Sequence, residues 1–98
     1  MMLLTQAILK KLPKIGSQET IEDPIAQVKF FYPCGSWTCF VIEFDGQDEL
    51  FCKTITDACP EGELGYASLK EISAAKGLMG LGIERDKWFK PTPISQCK

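Results

Sequence analysis

The stretch from Trp37 to Phe44 constrains the fold most, because it is apolar on both faces of any strand it could form. Successive side chains of a strand point to opposite sides. Trp37, Cys39 and Val41 therefore share one face, and Phe40, Ile42 and Phe44 share the other. Such a strand belongs in the middle of a sheet with a layer over each side. Asp45-Gly46 follows directly and suits a two-residue turn needing positive φ, after which Gln47 to Thr56 returns as a partner strand. With Asp45-Gly46 as the turn, Phe44 faces Gln47 and Cys39 faces Cys52. With Gly46-Gln47 as the turn, Cys39 faces Thr54 and the sidedness is unchanged; only a three-residue loop would flip the faces.

The flanking segments complete the expected architecture. Thr5 can cap a short helix from Gln6 to Leu12, with Leu4, Ile8 and Leu12 at helical spacing and Pro13 beyond its end. Residues 13–24 hold two prolines, Gly16 and three acids, and read as a loop. Ile25 to Tyr32 is rich in β-formers, with Val28, Phe30 and Tyr32 on one face, and Pro33-Cys34-Gly35-Ser36 marks a turn. Leu64 to Ala67 suits a fourth, short strand. Ser68 followed by Glu71 has the capping-box spacing and opens a helix to about Lys76. Gly77, Gly80 and Gly82 interrupt it, and the last stretch, Ile83 to Ile94, with Pro91 and Pro93, is expected to run extended along the surface or a sheet edge. The expectation is an α+β fold with residues 1–98 as a single domain. Its small antiparallel sheet has three to four strands, a meander whose central hairpin turns at Asp45-Gly46. Two short helices and an extended C-terminal tail pack with it.

Charge and cysteine usage narrow the function classes. The net charge is −2, but residues 1–16 carry +3, residues 17–83 carry −7 and residues 84–98 carry +2. An acidic body lacks the basic footprint of a dedicated nucleic-acid binder. No apolar run reaches the roughly 18 residues of a membrane helix, and the start resembles no signal peptide. A cytoplasmic protein is expected. Five cysteines without a secretory signal read as free thiols, mostly buried, with Cys97 near the end expected to be exposed.

Candidate chemistry is sparse. Cys34, Cys39, Cys52 and Cys59 raise the question of zinc, yet their spacings of four and six intervening residues are not knuckle pairs, and the chain has no histidine. The absence of histidine also excludes Cys-His catalysis, and the acids beside Cys59 disfavour a thiolate. A Cys39–Cys52 cross-strand disulfide is geometrically conceivable, but a reducing cytosol argues against it. Glu43, Asp45, Asp48 and Glu49 gather at the hairpin end and could meet a hard cation, though solvated charge is what any soluble hairpin shows. Lys87-Trp88-Phe89-Lys90 interleaves bases with aromatics, as single-strand nucleic-acid binders do. The plainer reading is that Trp88 or Phe89 anchors the tail while the lysines stay solvated. No phosphate loop, dinucleotide fingerprint or nucleophile elbow is present.

Several segments together resemble a known family. They are Leu3-Leu4-Thr5, Glu22-Asp23-Pro24-Ile25, Val28-Lys29-Phe30-Phe31, Trp37-Thr38, Glu43-Phe44-Asp45-Gly46 and Glu63-Leu64-Gly65-Tyr66. The most specific is the closing Gly82-Ile83-Glu84-Arg85-Asp86 with Phe89-Lys90-Pro91-Thr92-Pro93. In this order they resemble the uncharacterised bacterial family called domain of unknown function 2958. The resemblance implies a chain of similar size without an assigned activity, often encoded on plasmids, phages and integrative elements. It carries over no catalytic residue. The cysteines at 34, 39, 52 and 59 do not look like a family pattern.

The functional expectation is a non-enzymatic interaction factor of a mobile element, possible anti-defence work included, with no cofactor and no membrane association. It would bind a host or element protein through Glu43, Asp45, Asp48 and Glu49 or through Lys87, Trp88 and Lys90. The alternative is a nucleic-acid-associated accessory protein that uses the basic, aromatic C-terminal segment.

Overall fold

The computed structural model describes residues 12–17, 21–33, 35–74 and 82–97. Thr38–Phe44 forms a strand buried at every position but the first. It is β3 of the seven strands among the described residues: β1 Ile25–Ala26, β2 Val28–Phe31, β3, β4 Glu49–Ile55, β5 Glu63–Ser68, β6 Glu84–Arg85 and β7 Thr92–Pro93. Five of them form an antiparallel sheet in the order β5-β4-β3-β2-β6, so the strand apolar on both sides lies at its centre. β1 and β7 pair antiparallel as a separate two-stranded sheet.

This arrangement corrects the α+β expectation. The chain is mostly β, and the described residues contain one short α-helix, α1 Leu69–Ala74, rather than two helices packed on a sheet. The expected helix at Gln6–Leu12 lies, apart from Leu12, outside the described residues. Two segments account for the extra strands. The run from Ile25 to Tyr32 does not stay in one sheet: β1 joins the small sheet, and β2 starts one residue later in the large one. The tail takes the sheet-edge course of its two expected ones, because β6 pairs with β2 at the edge of the large sheet and Thr92-Pro93 pairs with β1. Pro93 donates no ladder hydrogen bond, which a two-stranded pairing tolerates.

Each face of the large sheet has its own apolar cluster. On one side Val28, Phe30, Cys39, Val41, Phe44, Leu50 and Cys52 are closed over by Leu12 and by Ile72 of α1. On the other, Phe40 is covered by Ala26, Cys97, Phe89 and Ile94. The layer over Phe40 is thus the small sheet plus the C-terminal strap. Lys53 Nζ donates to the Ile94 and Cys97 carbonyls at 3.3 and 3.1 Å, and Asp23 accepts from the Ser95 amide and hydroxyl at 3.0 and 2.7 Å. The expectation that Cys97 is exposed is therefore wrong. The 3-10 turn Ile94–Gln96 folds the end back, and the thiol is buried 3.5 Å from the Pro93 carbonyl.

The hairpin also differs from a two-residue turn. Cys39 pairs with Thr54 and Val41 with Cys52, but beyond a bulge at Ile42 the register shifts, so that Glu43 pairs with Phe51 and Phe44 with Leu50. A bulge adds one residue to one strand and so exchanges its faces. Phe44 consequently joins Cys39 and Val41, not Phe40 as strict alternation predicts. The connection is a four-residue loop, Asp45–Asp48, closed by Asp45 N–H donating to the Glu49 carbonyl at 3.0 Å. Gly46 does adopt positive φ, at 92°.

Candidate functional site

The four acids at the hairpin end do not form one open surface. Glu43 is buried, and its carboxylate accepts the Gly16 N–H at 3.1 Å. Asp45 Oδ1 accepts three amides, from Gln47, Asp48 and Glu49, at 2.8, 2.8 and 3.0 Å. Those backbone bonds hold its carboxyl below the ordinary carboxylate value. Asp48 caps α1: one oxygen accepts the Ser68 hydroxyl at 2.5 Å and the other the Lys70 amide at 2.7 Å. Its pKa is lowered first by Ser68 and then by Lys70. Ser68 Oγ in turn accepts the Glu71 amide at 3.2 Å, the contact its spacing predicts. Glu49 is exposed. The acids expected to meet a partner are thus largely committed to building the loop and the helix start.

The described cysteines converge on no metal site. Among the described residues no group of three or more metal-ligating side chains occurs. Cys39 and Cys52 are free and buried; the neighbouring Cys52 thiol, then burial, pushes the Cys39 thiol up. Cys59 is raised by desolvation, then by Glu61 and Glu63, and Cys97 is raised first by burial. Cys34 lies outside the described residues.

The C-terminal aromatic pair divides its labour. The turn after β6 is built by Asp86, whose amide donates to the Lys29 carbonyl at 2.9 Å and whose Oδ1 accepts the Trp88 amide at 2.9 Å. Lys29 Nζ lies 3.8 Å from Asp86 Oδ2 and 5.8 Å from the Phe40 ring centroid. Phe89 turns inward, its ring centroid 5.8 Å from that of Phe40. Trp88 turns outward and is 89 % exposed. It borders a shallow groove with Lys29, Phe31, Glu84 and Lys87, and a second groove runs on the other side of the segment past Gln27, Val28 and Phe89. Lys87 and Lys90 are both exposed beside it. The sequence named Lys87, Trp88 and Lys90 but missed Lys29 and Phe31, which only the β2–β6 pairing brings alongside.

A family model described as "Protein of unknown function (DUF2958)" matches residues 3–97. The chain belongs to this family. No curated protein and no solved structure matches it. Membership fixes no activity, so any function rests on the surface itself. No helix among the described residues is long and apolar enough to cross a membrane.

Proposed function

We propose that this chain works by binding another protein through the Trp88 ridge, performing no chemistry of its own. One observation carries the reading: a tryptophan 89 % exposed on a turn whose backbone is fixed by Asp86 and whose next residue is anchored on Phe40. Tryptophan and arginine dominate the binding energy of protein interfaces, and a fixed backbone loses little freedom on docking. Lys29 and Lys87 flank the indole with Glu84 and Asp86, a mixed-charge rim suited to a protein surface. In a mobile element the partner would be a host or element protein, as anti-defence factors require. The test is affinity capture from host lysate with the wild-type chain and Trp88→Ala in parallel. A defined protein recovered by the wild type and lost with Trp88→Ala supports the reading; equal recovery by both refutes it.

A second reading rests on Trp88 standing between Lys87 and Lys90, where a base could stack while the lysines meet phosphates. It predicts a gel shift with single-stranded nucleic acid that weakens steeply with salt and is lost in Lys87→Ala/Lys90→Ala. Glu84 and Asp86 in the same rim weigh against it.

A further inference from the structure

The opposite edge of the large sheet carries a different surface, which does not depend on the Trp88 reading. Among the described residues β5 is that edge, four strand spacings or about 19 Å from β6. Natural sheets blunt their edges with lysine, proline or bulges. Within Glu63–Ser68 none of these occurs, and the pairing with β4 is regular over all six residues. The Leu69 amide donates to the Asp48 carbonyl at 2.8 Å, continuing the same register by one pair. Hydrogen-bonded and non-bonded pairs alternate along an antiparallel ladder, so the N–H and C=O groups of Leu64 and Tyr66 point away from β4. Their side chains are 59 % and 60 % exposed on one face, where the Tyr66 ring lies 5.1 Å from Phe51. On the other face Gly65 leaves open space within 4 Å of where a Cβ would stand.

The charge around this edge selects the occupant. Glu61 and Glu63 stand exposed at its start, and Glu49 and Glu71 stand exposed near its end beside Asp48. Among the described residues Lys70 is the base at that end, while Lys53, opposite Leu64, is engaged by the C-terminal carbonyls. A second copy pairing antiparallel would bring one acidic end against the other. We propose that β5 takes up an extended basic segment of another protein as a sixth strand, with apolar residues on Leu64, Tyr66 and Phe51 and lysines or arginines toward the acids at both ends. Backbone hydrogen bonds would hold the segment and its charge pattern would select it.

The probe is a synthetic peptide of about eight residues alternating valine with lysine, long enough to span β5. Its control has the same charge but proline in place of valine, so it cannot complete the ladder. Binding is read by the fluorescence anisotropy of a labelled peptide. The valine peptide should bind, more weakly as salt rises, and the proline peptide should not. Leu64→Pro removes an outward amide without touching the β4 ladder and should weaken binding by about tenfold or more. Should Leu64→Pro fail to fold by circular dichroism, Tyr66→Lys, which sets a like charge on the docking face, should show the same loss. Trp88→Ala should bind the peptide as the wild type does, which separates this surface from the ridge. The proposal is overturned if neither peptide binds, if both bind equally, if folded Leu64→Pro or Tyr66→Lys binds unchanged, or if sedimentation shows β5 pairing with a second copy instead.

Discussion

Lys53→Met tests whether the second layer of the core is held down by one side chain. Lys53 starts on β4 and reaches the strap, where its ammonium meets the Ile94 and Cys97 carbonyls at 3.3 and 3.1 Å. A hydrogen bond to a charged group contributes about 1.5–3 kcal/mol. One of the two contacts is long, and both carbonyls regain water when the strap lifts, so the pair is worth about 2 kcal/mol together. Methionine keeps the length and apolar stem but donates nothing. A loss of about 2 kcal/mol raises the lifted population about 30-fold, at about 1.4 kcal/mol per tenfold. Cys97 reports it, because its thiol is buried only while the strap is docked. Alkylation by iodoacetamide at neutral pH, read on the C-terminal peptide by mass spectrometry, should accelerate at Cys97 by about 30-fold, since labelling follows the open population when closing is fast. Cys39 and Cys52, in the cluster on the other face, serve as internal references and should change little. Unchanged Cys97 labelling would refute the clamp. Equal acceleration at Cys39 would show global unfolding instead of a lifted strap.

Two other outcomes follow from the same fold. Asp23, Asp45 and Asp48 all have folded-state pKa values lowered from the ordinary 3.8 by hydrogen bonds from Ser95, the loop amides and Ser68 respectively. The unfolded chain therefore binds more protons in that range, and their stabilisation, complete above pH 3.8, is lost as pH falls through the folded values. Urea midpoints should drop on acidification below pH 4, and the drop should shrink in Asp23→Asn, Asp45→Asn and Asp48→Asn; parallel acid profiles would contradict the assignment. Gly35→Ala would place a Cβ 2.5 Å from the Tyr32 ring, so the ring or the turn must move. Denaturant titration should show a loss of about 1–3 kcal/mol, and an unchanged midpoint would mean the turn relaxes freely.

The central strand was the most legible element, because an octet apolar on both sides has few places to go but the middle of a sheet. The capping role of Ser68 was legible too, being a local contact between residues three apart. The partners of β1, β6 and β7 were not, since two residues show no periodicity and their pairing is decided by residues far along the chain. The site followed the same division. Trp88 could be named from its neighbours in sequence, but only the fold separates it from inward-facing Phe89. Glu43 and Asp48 were read as surface charge because nothing local announces a carboxylate turned to a distant amide, Gly16 for one and Lys70 for the other. The exposed edge at Leu64 and Tyr66 carries no motif; it emerges from strand order alone.

The bulge at Ile42 bears on how the hairpin finds its partner during folding. Without it, strict alternation would direct Glu43 into the cluster of Cys39 and Val41 and turn Phe44 out of it. That competing alignment is one residue away and equally local, so chain entropy does little to separate the two. A carboxylate without its Gly16 partner inside an apolar layer is what tells them apart. Glu43 thus acts as a proofreader: a carboxyl group within the most hydrophobic strand makes the wrong zip-up self-rejecting. An apolar residue at that position would leave the protein free to close in either alignment.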